Sequence, residues 1–206
     1  MSTKLTRLAA VLLLMPLLIL PGCQSRSQSS DVQFIEVSLR GEDGIAVDGN
    51  PTSLENLPET VGQVVDRSSS RVVIRVDCQD NIPMSRLHAV QRELRHEGLV
   101  NMSYRTGSGD ELTLILPPDD LREQMKKISS RHFATLHVAE SGSVTLDGIE
   151  TGNNEIEHRI TNRLVNDDKL IVSIDVDSNA TYGDFIRAFG ATKRANAPRI
   201  QLNDPS

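Results

Sequence analysis

The side chains most suggestive of chemistry are three oxygen-bearing residues that alternate at the end of an apolar run. Asp175, Asp177 and Asn179 have the spacing of the first ligands in a calcium-binding loop, in which alternating oxygens surround a hard cation. The sixth position of that loop is Ala180, not the glycine of the sharp turn, and the twelfth is Ile186, not a bidentate glutamate. The pattern therefore argues against a calcium site.

The histidines and the potential nucleophiles give no better pattern. None of the five histidines stands four residues from another, the spacing that places two metal ligands on one helix face. His88 and His96 are most simply interpreted as solvated helix residues. The sequence has no nucleophile in a recognisable turn and no glycine-rich phosphate loop, and local spacing positions no paired carboxylates. We therefore expect no enzyme, no cofactor and no metal site.

The N-terminal residues predict the compartment. Lys4 and Arg7 precede a thirteen-residue apolar run, residues 8–20, which as a helix would span about 20 Å of a roughly 30 Å hydrocarbon core. A basic start and a short apolar run are typical of a secretory signal peptide. Leu-Pro-Gly-Cys ending at Cys23 resembles a bacterial lipobox. We expect a signal peptide over residues 1–22 and lipid attachment at Cys23; a plain secreted protein is the alternative.

The residues after Cys23 predict a tether. QSRSQSSD, residues 24–31, is a polar Ser/Gln segment that cannot pack, so we assign residues 23–33 to the lipidated cysteine and a flexible tether. Each buried acyl CH₂ adds about 0.8 kcal/mol, so several acyl chains hold a protein on a membrane. Gln24 slightly favours the outer membrane over the inner one. We therefore expect a periplasmic protein anchored to a bacterial membrane.

Composition excludes one class of partner and a disulfide framework. The chain has a formal net charge of −6, no Trp, two Tyr and four Phe, so it lacks the basic stripe and the stacking aromatics of a nucleic-acid binder. With Cys23 acylated, Cys78 is the only remaining thiol and cannot form an internal disulfide. We expect Cys78 to be half-buried and to act as a small hydrophobe, in preference to a reactive thiol.

The elements that would position these residues occur twice. RVVIRVDCQDNIPMSRL, residues 71–87, and KLIVSIDVDSNATYGDF, residues 169–185, share one pattern. In each, a β-branched run ends in aspartate, Asp77 or Asp175, an asparagine follows four positions on, and a helical stripe begins. Repetition at this length indicates two copies of one small domain.

The first copy predicts strands and helices in the order β-β-α-β-α-β. A capping box at Thr52 and Glu55 would begin the first helix at residue 52, whereas Pro58 favours a later start. The β-branched strand has a near-continuous apolar run typical of a strand buried on both faces. The predicted elements are strands 34–39 and 45–50 with an Asp-Gly turn, helix 54–65, strand 71–77, helix 84–97 and strand 99–106.

The second copy repeats this order over a hairpin at 134–148, helix 153–165, strand 169–175, helix 181–195 and strand 198–203. Between the copies, residues 107–133 form a linker with a strand-like segment at 111–116 and a short helix or charged segment at 119–128. We therefore predict an α+β protein of two tandem domains, 34–106 and 134–206, each a mixed sheet with two helices on one face.

The ordered set of motifs resembles the periplasmic domain of ExbD/TolR proteins. The residues that carry the resemblance are RVVIRVD in the first copy, and VTLDG with IVSIDVDSNATYGDFIRAF in the second. The resemblance implies a domain that tends to dimerise and works in biopolymer (protein) transport beside a proton-driven inner-membrane motor. Asp77 and Asp175 match the aspartate that ends the third strand in that family. Capping of the following loop is the simpler role for both, and a ligand role is the alternative.

The resemblance also shows what this chain lacks. Family members carry a transmembrane helix with an aspartate that takes part in proton passage, whereas residues 8–20 contain no acidic residue. We expect a lipid-anchored, non-catalytic accessory of a proton-motive-force-driven envelope system, with an ExbB/TolQ-like channel complex or another envelope protein as partner. The alternative is a peptidoglycan-binding lipoprotein. Two joined copies of a dimerising domain also predict an intramolecular pseudo-dimer.

Overall fold

The computed structural model of the chain describes residues 32–69, 71–116 and 129–203. The predicted signal peptide, Cys23, most of the tether and the segment 119–128 lie outside these ranges. Within them, no helix combines the length and the apolar composition needed to cross a bilayer.

The described chain is a mixed α+β structure with two mixed β-sheets and four α-helices. The strands are β1 (Val32–Arg40), β2 (Gly44–Val47), β3 (Asn50–Thr52), β4 (Arg71–Cys78), β5 (Asn101–Arg105), β6 (Glu111–Ile115), β7 (Phe133–Val138), β8 (Val144–Leu146), β9 (Ile149–Glu150), β10 (Ile171–Val176) and β11 (Ile200–Leu202). The helices are α1 (Leu57–Val64), α2 (Met84–His96), α3 (Asn153–Asn166) and α4 (Tyr182–Arg194), with a 3₁₀ turn at Ser130–His132.

Each half of the chain builds one sheet. The first half, residues 32–116, forms the strand order β3-β2-β1-β4-β5-β6, and the second half, residues 129–203, forms β11-β10-β7-β8-β9. In both sheets the three strands linked through helices are parallel, and the hairpin strands pair antiparallel. The sequence prediction lacks the short strands β3 and β9. It assigns residues 111–116 to a linker, whereas β6 pairs antiparallel with β5.

The predicted Asp-Gly turn is confirmed in both halves. Asp48 and Asp147 adopt positive φ angles of 47° and 53°, and the glycine after each has a φ of about 80°. Two successive positive φ angles define the hairpin turn that matches strand twist. Each carboxylate also accepts a bond from a backbone N–H of the first strand of its half, Glu36 at 2.8 Å and Thr135 at 2.9 Å. The two hairpins therefore share one detailed geometry.

The first helix begins later than the predicted capping box. Its N-cap is Asn56, and Pro58 lies in the first turn, as the alternative start predicts. Thr52 cannot cap this helix, because it is the last residue of β3; its hydroxyl instead lies 2.9 Å from the Thr60 hydroxyl. The predicted capping box is therefore wrong, because strand pairing takes up the residue that would form it.

The buried side chains of both halves form one continuous apolar cluster. On β1, Ile35, Val37 and Leu39 alternate into this cluster, as the period of a strand requires. The prediction that β4 is buried on both faces is wrong, because Arg75 and Asp77 lie half-buried on its outer face. Their charges can remain there because Asp77 pairs with Arg40 of β1 and Arg75 pairs with Glu111 of β6.

Candidate functional site

Asp77, the first of the two motif aspartates, lies at the centre of a cross-strand ion-pair network. Its carboxylate contacts Arg40 on β1, and Oδ2 lies 3.8 Å from Nη1 of Arg105 on β5. Arg105 also pairs with Glu36 of β1 at 3.5 Å. Asp77 therefore ties three strands together on the outer face of the sheet, and this role differs from the predicted capping of the following loop.

A second group on the same face neutralises the remaining charges. Arg75 Nε lies 3.0 Å from Oε1 of Glu111, and its guanidinium sits 3.8 Å from the centroid of the Phe34 ring. The Ser103 hydroxyl donates to the other oxygen of Glu111 at 3.0 Å. The charges of Arg75 and Glu111 are therefore matched by each other across β5.

Asp175, the second motif aspartate, has uncharged partners instead. The side-chain amide of Asn203 donates to its carboxylate and, at 2.8 Å, to the hydroxyl of Ser173. Asn203 stands 98 positions after Arg105, so a neutral amide occupies the place of the arginine that pairs with Asp77. The two aspartates therefore keep a common place in the fold but have different electrostatic surroundings.

The two carboxylates of the calcium-like pattern, Asp175 and Asp177, contact different groups of the protein. Asp177 accepts a bond from the backbone N–H of Glu140 at 3.1 Å and lies 3.7 Å from Nε2 of His137, whereas Asp175 is held by Asn203. In residues 32–69, 71–116 and 129–203, no three His, Cys, Asp or Glu side chains are grouped to hold a metal ion. Both carboxylates thus contact groups of the protein itself.

The loops that follow Asp77 and Asp175 contact each other through backbone hydrogen bonds. The N–H of Met84 donates to the carbonyl of Ala180, and the N–H of Tyr182 donates to the carbonyl of Ile82, both at 2.8 Å. Met84 and Tyr182 are 98 residues apart, and so are Ile82 and Ala180, so each bond is the counterpart of the other. The two bonds are therefore related as in a two-fold symmetric contact.

A second pair of bonds obeys the same relation. The N–H of Ser85 donates to the carbonyl of Ser178 at 2.8 Å, and the N–H of Gly183 donates to that of Asp80 at 2.9 Å. Pro83 and Thr181, also 98 apart, face each other as an antiparallel bridge at the centre of these four bonds. We call residues 80–85 and 178–183 the central seam. Both of its sides come from the repeated sequence motif.

Aromatic side chains fill the core beside the central seam. Tyr104 of β5 packs edge-on against Phe185 and Phe189 of α4, with ring centroids 5.5 and 6.0 Å apart. The two phenylalanines stack on each other at 5.5 Å. All three side chains are fully buried. Three of the chain's six aromatic residues thus join the first half to the second, although the sequence gives no pattern that predicts this cluster.

A buried polar chain runs from α2 to the aromatic cluster. His88 Nδ1 lies 3.1 Å from Oε1 of Gln91, whose amide donates to the hydroxyl of Tyr104 at 2.7 Å. His88 is only 4% exposed, so the prediction of a solvated histidine is wrong. Met84, His88 and Gln91 follow the i, i+4, i+7 spacing of a buried helix face, and this spacing could have revealed it.

The second tyrosine links the halves through a hydrogen bond. The Tyr182 hydroxyl donates to the carbonyl of Arg105 at 2.8 Å, with its ring buried at the start of α4. Burial raises the pKa of Tyr182 and of Tyr104 above the ordinary phenol value. Both phenols therefore stay protonated at neutral pH, so Tyr182 keeps its donor and neither ring brings a charge into the core.

A cleft opens beside the central seam, along α4. It has a volume of about 800 Å³ and lies between α4, the β5–β6 loop and the start of α3. We call it the seam cleft. Its floor includes the apolar side chains of Leu112 and Ile186 together with two glycines of α4. Cationic residues of α4 line one part of the cleft. The lining residues that α4 contributes are Gly183, Ile186, Arg187, Gly190, Lys193 and Arg194.

Replacing either of two glycines of α4 by alanine should change the free energy of unfolding, with opposite signs at the two positions. A Cβ at Gly190 would meet only ordinary contacts, 3.5 Å or more away, so Gly190→Ala should raise the free energy of unfolding by about 0.5–1 kcal/mol. A Cβ at Gly183 would lie 3.1 Å from Cβ of Asp80 and 3.3 Å from its carbonyl oxygen. Gly183→Ala should therefore lower that free energy by about 1–2 kcal/mol. Urea denaturation measures both, and changes of equal sign would contradict the seam geometry.

Cys78 is the one cysteine in the described residues, and it is 8% exposed at the end of β4. Burial raises the pKa of its thiol to about 12. The thiolate is the reactive form. In a Cys23→Ser variant, which leaves Cys78 as the only thiol, we expect reaction with a chromogenic disulfide at pH 8 to be at least about a hundredfold slower in the folded protein than in urea. Equal rates would show that the thiol is accessible.

No protein-family model and no curated protein sequence matches this chain. The resemblance to ExbD/TolR proteins therefore rests on the residue patterns of the sequence and stays a prediction. The candidate site combines two mixed sheets, a central seam built from the repeated motif, and a cleft beside it.

Proposed function

We propose that this chain is a lipid-anchored, non-catalytic envelope protein of the ExbD/TolR type, which binds a partner in a proton-motive-force-driven system. The observation that carries the proposal is the set of four symmetric backbone bonds across the central seam. In a two-fold symmetric dimer interface, every contact between two residues occurs a second time with the roles of the two sides exchanged. Here both sides belong to one chain.

The fold within this proposal is a pair of tandem domains, residues 34–106 and 134–206, each a mixed sheet with two helices on one face. The helix pairs α1–α2 and α3–α4 support it, because the members of each pair pack against each other. Strand β6 (Glu111–Ile115) lies beyond residue 106 and pairs with β5, so the first sheet extends past these bounds. Joining two dimerising domains in one chain makes their association intramolecular, with an effective concentration in the millimolar range for short flexible linkers.

A doubled ectodomain of this kind would act as a scaffold and leave proton passage to another polypeptide. Residues 8–20, the apolar run of the leader, contain no acidic residue that could carry a proton. The partner class is therefore an ExbB/TolQ-like channel complex or an envelope protein that such a complex drives. Lipid at Cys23 would keep the domains within reach of a membrane, at the end of the tether.

Cross-linking in cells tests the partnership. A photo-reactive amino acid at Phe34, 46% exposed on the first sheet, or at Val165, 81% exposed on α3, would sample two surfaces of the protein. We expect a channel-complex subunit among the cross-linked products, and its yield should fall in the Cys23→Ser variant. Cross-links to cell-wall material alone, with co-sedimentation of the purified protein with peptidoglycan sacculi, would replace this function by the peptidoglycan-binding alternative.

The anchor has its own test. Metabolic labelling with a clickable fatty acid should modify the wild-type protein, and Cys23→Ser should abolish the label because no other cysteine near the N-terminus can be acylated. A labelled Cys23→Ser variant would contradict the assignment of the lipid to Cys23. An unlabelled wild-type protein found free in the periplasm would instead favour the plain secreted form.

A further inference from the structure

The seam cleft contains a cation that has no carboxylate partner among the residues described. Lys193 is half-buried at the last turn of α4, and its Nζ lies 5.5 Å from the centroid of the Phe189 ring. The arginines beside it are already paired, Arg194 with Glu157 at 3.1 Å and Arg187 with Asp184. Burial lowers the pKa of Lys193, since desolvation disfavours its charged form. An anion in the cleft would relieve that cost.

One acidic residue of the cleft, Asp80, lies at the opposite end of α4 from Lys193. Asp80 is beside Gly183, which stands ten residues before Lys193 and thus about 15 Å from it along α4. Asp110 belongs to the β5–β6 loop, where Ser108 donates to its carboxylate at 2.8 Å. The cleft therefore has a cationic end near Lys193 and Arg194, separate from the acidic residue near the central seam.

The middle of the cleft is apolar and open. A Cβ at Gly190 would lie 3.5 Å from Nη1 of Arg194 and 3.7 Å from Cδ1 of Leu112, so the missing side chain leaves backbone and a leucine as the floor, with the Arg194 guanidinium beside them. Ile186, one turn earlier on α4, continues this floor. At the equivalent positions of α2 the chain has Arg92 and His88, both large polar residues. The open apolar floor is therefore particular to the second half.

We propose that the seam cleft binds a small ligand that carries one anionic group, a carboxylate or a phosphate, beside a short apolar portion. The anion lies against the ammonium of Lys193 with Arg194 near it, and the apolar portion covers Gly190 between Leu112 and Ile186. Charge-assisted hydrogen bonds orient such a ligand, and the apolar floor adds affinity in proportion to the area it covers. This proposal is independent of the envelope partner.

Titration of the ¹⁵N-labelled protein with hexyl phosphate, hexanoate and inorganic phosphate tests it, with amide shifts as the readout. We expect saturable shifts in α4 and the β5–β6 loop for one of the hexyl ligands. Lys193→Met, which keeps the apolar stem and removes the charge, should weaken that binding at least about tenfold. Lys169→Met is the matched control, because Lys169 is exposed and outside the cleft, and it should bind as the wild type does.

The outcomes separate the two anions and leave the proposal open to refutation. Tighter binding of hexyl phosphate assigns a phosphate ligand, and tighter binding of hexanoate assigns a carboxylate. Gly190→Leu places a side chain over the floor of the cleft and should block binding of both hexyl ligands. The urea midpoint of this variant shows whether it folds. If it does not fold, the affinity of Lys193→Met tests the proposal. Absence of saturable shifts, equal affinities for Lys193→Met and wild type, or inorganic phosphate bound as tightly as hexyl phosphate would overturn the proposal.

Discussion

Replacing Phe185 by alanine will lower the free energy of unfolding by about 3–5 kcal/mol, the largest loss we expect from a single truncation in this chain. The ring is fully buried and contacts Tyr104 of the first half and Phe189 of its own helix. Removing it leaves a cavity at the point where the two halves share their core. Urea denaturation followed by far-ultraviolet circular dichroism measures the loss.

The same experiment tests whether the halves unfold together. Because the buried residues form one continuous cluster, Phe185→Ala should shift a single cooperative transition that both halves report. Val165→Ala is the control, since Val165 is 81% exposed and its truncation should change the stability by less than about 0.5 kcal/mol. Two separate transitions, with only the second half destabilised, would show that the halves fold independently and would remove the pseudo-dimer.

Replacing Gly142 by alanine will destabilise the protein by about 2–4 kcal/mol. Gly142 has a φ of +78°, a left-handed conformation that disfavours a side chain by about 1–2 kcal/mol. A Cβ there would also lie 2.8 Å from Oδ1 of Asp184. Asp184 forms the capping box of α4 with Thr181, and disturbing such a cap removes a further 0.5–2 kcal/mol or so.

Gly148→Ala separates the two contributions. Gly148 has nearly the same φ, +79°, but a Cβ there would have no heavy atom within 4 Å. It should therefore show only the conformational loss, and Gly142→Ala should exceed it by about 1–2 kcal/mol. Thermal or urea denaturation of the two variants gives the difference directly. Equal losses would mean that Gly142 does not pack against the Asp184 side chain that caps α4.

The sequence predicts the regular elements well wherever local patterns are strong. Apolar alternation places β1 and the period of 3.6 residues places α3 and α4, because each element must present one apolar face to the core. The Asp-Gly turns at Asp48 and Asp147 are predicted because few residues adopt positive φ angles readily. These features depend on residues close together in the chain, so a sequence alone contains them.

The features that sequence reasoning misses depend on distant residues. Asp77 does not cap its loop, because Arg40 and Arg105 come from strands 37 and 28 residues away. The buried His88 is linked through Gln91 to the hydroxyl of Tyr104, which lies on β5. The seam cleft likewise requires α4 to lie beside the β5–β6 loop. Only tertiary packing brings these groups together, so local patterns do not predict the contacts, although the i, i+4, i+7 spacing on α2 could have shown that His88 is buried.

The central seam has a consequence for how this surface can change. In a homodimer, both sides of the interface are encoded by the same gene, so every substitution appears on both sides of the two-fold axis. Here Ser85 and Gly183 occupy equivalent places but are encoded separately. Each flank can therefore acquire its own side chains wherever there is room for them, while the backbone bonds, which main-chain groups form, continue to hold the two flanks in register.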